Sequence, residues 1–295
     1  METRRRPRRR RQMKNNPVYL LALVLVMLVC LVVFGEGPSE NTKPEQTESV
    51  QTEERLESTT VDTEPEATVD TSPEGIKEAF LKTHGLTESD YLDQMFEVYE
   101  YFPEVRDFIL NYPLKKDSVP EDADISGYDR SQGVPLFIQW DEAWGYAAYG
   151  NGVCGISGCG PVSLSMVAYY LTGDTRYTPQ YMMAFAKEEG HMNSGGGTNW
   201  SLFNKGAVEL GFHVEEVPLY ENAIRKRLET GNPVVVNVGP GDFTRNGHYM
   251  VIVGYEDGMF RINDPFSRIN SEKLWSYERI ESQIKNLWMI SLPEQ

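Results

Sequence analysis

An uninterrupted apolar run from Val18 to Phe34, preceded by Arg4–Arg6, Arg8–Arg11 and Lys14, constrains how the rest of this chain can be arranged. At a rise of ~1.5 Å per residue the run spans most of a hydrocarbon core of roughly 30 Å, which reads as a transmembrane helix at residues 18–34. A cleaved signal peptide would end in small residues, whereas Val32, Val33 and Phe34 are bulky. Cys30 sits inside the run and reads as an inert membrane cysteine. The flanking arginines keep residues 1–17 in the cytoplasm, so everything after Gly35 is expected outside.

Charge divides the chain in the same way. The total is −16, but residues 1–35 carry +7 and residues 36–75 carry −10, which leaves −13 for residues 76–295. Residues 35–75 are Glu, Thr, Ser, Pro and Gln with almost no large apolar side chain, so they predict a disordered acidic linker. Forty such residues reach on the order of 35 Å, far enough to carry a domain into a cell wall. The remaining length suits one large domain with a helical extension. Its acidity excludes nucleic acid as a partner, because phosphate binding needs clustered Lys and Arg.

Periodicity predicts three helices in the extension, residues 76–133. Pro73 opens the first and His84-Gly85 closes it; Leu92, Met95, Phe96 and Tyr99 mark the second; Val105, Phe108, Ile109 and Tyr112 mark the third, ended by Pro113. Residues 115–133 are a polar connector. Further on, Pro161 starts a helix through Leu171, Thr178-Pro179 starts another, and Thr198 caps a helix from Trp200 to Leu210. Helix is also predicted at Glu221–Glu229 and Tyr277–Ile284. Strands are predicted at His213–Val217, Pro233–Val238, His248–Tyr255, Met259–Asp264 and Leu287–Leu292, with Glu256-Asp257-Gly258 as a hairpin turn. Helices first and strands last predict an α+β fold with an antiparallel sheet.

Only Cys154 and Cys159 lie outside the apolar run, in Asn151-Gly-Val-Cys-Gly-Ile-Ser-Gly-Cys-Gly-Pro161. Cys159 directly precedes the Pro161 helix, where unpaired N–H groups and the helix dipole favour a thiolate. Cys154 has no such support. A Cys154–Cys159 disulfide is the competing reading, and zinc is disfavoured because the His spacings match no ligand pattern. Of the four histidines, His84 and His213 read as surface residues and His191 is undetermined. His248 opens a buried strand, and the next strand returns to it at Asp264, which Pro265 holds extended. A thiol, a base and an orienting carboxylate satisfy the requirements of nucleophilic catalysis. Gln139, at the end of the apolar stretch Val134–Trp140, is the candidate side-chain donor to an oxyanion, beside the Cys159 N–H.

Val134–Trp140, Ser157-Gly-Cys-Gly-Pro161 with Ser163–Met166, Gly195-Gly-Gly-Thr198, Asp242-Phe-Thr244 with Gly247-His-Tyr249, and Asn263-Asp-Pro265 together resemble the bacterial double-glycine peptidase-like family, papain-fold relatives of the peptidases that process bacteriocin leaders. The resemblance covers residues 134–295. It implies a papain-like fold, with Cys159 as nucleophile, His248 as base, Asp264 as its orienting acid and Gln139 at the oxyanion, and with Trp144–Val153 as an inserted loop. It implies no cofactor and no metal. The best-known relatives cut after Gly-Gly as cytosolic domains of exporters. This chain has no transporter segments and its domain is expected to face outward, so that specificity is not carried over.

The expected protein is a single-pass membrane protein on a Gram-positive-like bacterial surface, whose exterior cysteine peptidase domain acts on peptide or protein substrates, with the cell wall within reach. Two other readings stand beside it: a peptidoglycan amidase or endopeptidase, and a silent surface-binding module that keeps the groove without turnover.

Overall fold

A computed structural model describes residues 70–293. The apolar run, its basic flank and the acidic linker lie outside the described residues, apart from the linker's last few. Among the described residues no helix is long and apolar enough to cross a membrane.

The extension forms three helices, α1 (Pro73–His84), α2 (Met95–Tyr101) and α3 (Arg106–Lys115). Ser72 caps α1 through the Gly75 N–H, and Gly85 ends it in a left-handed conformation at φ 64°. Pro113 does not end α3 as predicted; the helix continues through it to Lys115. Phe108, Ile109, Leu110 and Tyr112 are buried on α3, and their packing outweighs one backbone hydrogen bond lost near a helix end. That core is shared. Phe108 stacks on Tyr146 at 4.3 Å between ring centroids, and Tyr146 donates to the Phe108 carbonyl at 3.1 Å.

Trp144–Val153 is therefore no free surface loop. Trp144, Tyr146, Tyr149 and Val153 are buried, and the segment turns through a hairpin of β1 (Ala148–Tyr149) and β2 (Gly152–Val153) against the extension. It leads into the short helix α4 (Cys154–Ser157) and then α5 (Cys159–Thr172). Ten consecutive residues of α5, Gly160–Tyr169, are buried, as expected of a helix apolar on nearly every side.

After α6 (Pro179–Glu188), the predicted Trp200–Leu210 helix begins later and wider, as a π-turn over Leu202–Gly206 running into α7 (Ala207–Glu209). Thr198 is not its cap: its hydroxyl bonds Tyr149 at 2.9 Å, and the residue bridges to Met192. The wide turn accommodates His191, whose ring packs so closely that a Cβ on Gly206 would lie 2.9 Å from it.

The remaining strands are β3 (His213–Glu216), β4 (Val234–Val238), β5 (His248–Glu256), β6 (Met259–Asn263), β7 (Leu274–Trp275) and β8 (Ile284–Ser291), with helices α8 (Glu221–Glu229), α9 (Arg268–Glu272) and α10 (Tyr277–Ile280) between them. They form one antiparallel sheet in the order β3-β8-β4-β5-β6-β7. The fold is thus α+β with helices and an antiparallel sheet. Side chains alternate across the sheet, so Val235, Val251 and Trp288 pack with α5, while Val234, Val236, Met250 and Ile252 face Ile224 of α8 and Ile280 of α10. Burial on both faces makes the sheet a rigid frame for what projects from its ends.

Candidate active site

Cys159 is the first residue of α5, so its side chain sits where the helix has unsatisfied N–H groups. Two glycines allow that position. A Cβ on Gly158 would lie 2.6 Å from the Cys154 sulfur, and one on Gly160 would lie 2.6 Å from the Thr198 hydroxyl. Thr198 is held there by Tyr149 and by Tyr249, which donates to its carbonyl at 3.0 Å. Thr198 therefore packs on the start of α5. Both cysteines are free thiols; Cys154 is fully buried and Cys159 half-buried. Burial first, and then the neighbouring Cys159, push the Cys154 thiol far up, so it stays protonated.

His248 opens β5, and its Nε2–H donates to Asp264 Oδ1 at 2.7 Å. The structure thus brings this predicted pair together at the sheet end. It leaves Nδ1 as the ring nitrogen not engaged by Asp264, with Cys159 close enough to act on the imidazole. Burial alone would depress the His248 pKa; the Asp264 charge and hydrogen bond, joined by Cys159, outweigh it and raise the value from 6.5 to about 10.

Asp264 is almost fully buried and its oxygens are well supplied with donors. Oδ1 also accepts the Phe266 N–H at 2.9 Å, and Oδ2 accepts Asn270 Nδ2 at 3.0 Å. Ser271 accepts from the Asp264 N–H at 2.9 Å. Asn270 and Ser271 belong to α9, a five-residue helix that sequence reading did not foresee. Its start is held from the extension: Glu104 accepts the Ser267 hydroxyl, the Arg268 N–H at 2.8 Å and the Ile269 N–H at 3.3 Å. No local pattern announces a carboxylate more than 160 residues upstream.

Gln139 shares a cavity with Cys159 and His248, but its amide is already engaged. Nε2 donates to the carbonyls of Gly155 at 3.0 Å and Cys154 at 3.3 Å, and Oε1 is buried without a partner. Its backbone N–H donates to the Pro265 carbonyl at 2.7 Å, and Trp140 donates to that of Phe266 at 2.8 Å, so this stretch is laced to the Asp264 loop. His191 lies apart from this group, buried between Ser201 and Glu209 at 3.0 Å each.

The sequence profile of the Peptidase_C39 like family matches residues 131–291, more than half of the chain and all four of these residues. The chain belongs to the Peptidase_C39-like family. Among solved structures, it is similar to the peptidase domain of Streptococcus ComA, a bi-functional ABC transporter involved in a quorum sensing pathway, at 24% identity over 47% of this chain and 93% of that one, with a TM-score of 0.36. It is also similar to a putative C39-like peptidase from Bacillus anthracis, at 18% identity over 60% of this chain and 100% of that one, with a TM-score of 0.34. No curated protein matches it. Membership of the Peptidase_C39-like family points to the chemistry of a cysteine peptidase.

Proposed function

We propose that the chain is a cysteine peptidase whose nucleophile is Cys159, with His248 as general base and acid, Asp264 as the group that orients it, and Gln139 as a donor to the oxyanion. The observation that carries this reading is the His248–Asp264 bond at 2.7 Å, which occupies Nε2 and leaves Nδ1 to serve the thiol at the head of α5. The Cys159 proton passes to Nδ1, and the thiolate attacks the substrate carbonyl. Charge on the carbonyl oxygen is met by the Cys159 N–H. The longer of the two Gln139 bonds, to the Cys154 carbonyl at 3.3 Å, is the one its amide can exchange for that oxygen. Imidazolium then protonates the leaving amine, and water activated by the same ring hydrolyses the thioester.

Cys159→Ala and His248→Ala are each expected to abolish peptide hydrolysis, and Cys159→Ala to abolish labelling by iodoacetamide; hydrolysis that persists in Cys159→Ala overturns the proposal. We further place this domain outside the cell on the anchor read at residues 18–34. That is tested by whether protease added to intact cells removes the domain while leaving a membrane-bound remnant.

A further inference from the structure

Two cavities meet at Cys159, and they differ in size and in what walls them. One, of about 900 Å³, runs past Gly195, Gly197, Trp200 and Asn237; the other, of about 270 Å³, contains His248 and Gln139. The second sets apolar side chains of the extension, Val98, Tyr101 and Phe102, opposite Ile156, Phe243 and Phe266 of the catalytic part, with polar groups such as Thr244 and Asn246 between them. The rings of Phe102 and Phe266 meet edge to face at 5.0 Å, closing the two halves into one surface.

Its charges are already spent. Glu97 on α2 and Arg245 on the loop before β5 both line the cavity and pair with each other at 3.3 Å, while the Arg245 guanidinium lies 4.2 Å over the Tyr101 ring. The His248 ring is held by Asp264, so no charged side chain of the lining is left without a partner to meet an acidic or basic side chain. The volume falls below the roughly 300–1,000 Å³ of sites that hold drug-sized ligands, so it suits a single side chain.

We infer that this cavity is a specificity subsite for the first residue of the leaving segment, built jointly by the extension and the catalytic part, and that it takes a large apolar or aromatic side chain. The side assignment rests on the cysteine-peptidase reading. His248 must hand its proton to the leaving amine, so that segment lies on the side of Cys159 where His248 stands, and the larger cavity has no His248 in its wall. The extension is then more than a support, since Val98 and Tyr101 touch the substrate.

Vinyl sulfones test this without turnover. The Cys159 thiolate bonds to the terminal vinyl carbon, the double-bond pair moves to the carbon bearing the sulfone, and that carbon takes the proton from His248; the sulfone substituent therefore falls on the His248 side. Rates of Cys159 labelling by phenyl and methyl vinyl sulfone are each divided by the rate with free glutathione. The corrected phenyl-to-methyl ratio is expected to be about tenfold, the scale of burying an aromatic ring. Val98→Trp, which fills the cavity, is expected to bring the ratio near one, and Gln94→Trp does the same from an exposed position on the same wall if Val98→Trp fails to fold. A wild-type ratio near one, or a ratio unmoved in a folded variant, overturns the subsite. Failure of iodoacetamide to label Cys159 at all overturns the catalytic reading and the side assignment with it, whereas labelling with a ratio near one overturns the subsite alone.

Discussion

The His248 ring keeps its proton because of what lies behind it. Asp264 raises the affinity for that proton, and Asn270 and the Phe266 N–H hold Asp264 in place. A folded-state pKa raised from 6.5 to about 10 contributes stability that is complete below pH 6.5 and is lost as pH rises through about 10. The alkaline limb of kcat/KM is therefore expected well above the ordinary imidazole range, and Asp264→Asn is expected to move it down toward 6.5, as a pH–rate profile would show. Asn270→Ala removes one hydrogen bond to a buried carboxylate, worth about 1.5–3 kcal/mol, so a fall of about tenfold or more in kcat/KM is expected, with the alkaline limb shifted down and partial rescue by Asn270→Gln. An unchanged profile in Asn270→Ala would reduce Asn270 to a structural part. The proximity of His248 and Asp264 is legible in the sequence because strand pairing is arithmetic: an antiparallel hairpin returns the end of β6 to the start of β5. Asn270 is not legible, since a five-residue helix after a proline carries no periodic signal.

At the scale of elements, α5 and α9 depend on contacts made from a distance. Gly160→Ala would push a methyl group to within 2.6 Å of the Thr198 hydroxyl, and overpacking of that kind costs about 1–3 kcal/mol, measurable as a lower urea midpoint. Glu104→Ala would leave Ser267 as the cap of α9 but remove the acceptor of the Arg268 and Ile269 N–H groups; the expected loss of stability is about 0.5–2 kcal/mol, with a loss of activity that Glu104→Gln partly restores. The helix starts at Pro73 and Thr178 and the strands β4 to β6 follow directly from caps, prolines and alternation. The errors share one cause. Pro113 is carried through α3 by packing on Tyr146, and Thr198 is drawn from capping by Tyr149 and Tyr249, so tertiary contacts prevail over local preference at both positions.

For the molecule as a whole, the extension and the sheet-bearing part act as one unit. The described residues group together, with a core in which Phe108, Ile109 and Tyr112 of α3 share contacts with Tyr146 and Val153. Calorimetry of the intact chain is expected to show one cooperative transition for this region, and separate melting of the extension would contradict it. Sequence alone separates the extension at residue 133 because composition changes there, and composition says nothing of which buried rings will meet.

The order of these parts along the chain also has a temporal meaning. Cys159 emerges from the ribosome early in the domain, but His248, its proposed base, follows 89 residues later, and the Asp264 loop closes on Gln139 and Glu104 only when nearly the whole domain has been made. Contacts of such span form late and slowly during folding. On the proposed mechanism a nascent or truncated chain carries a thiol without its proton acceptor, so hydrolytic competence would arrive with completion of the fold rather than with synthesis of the nucleophile.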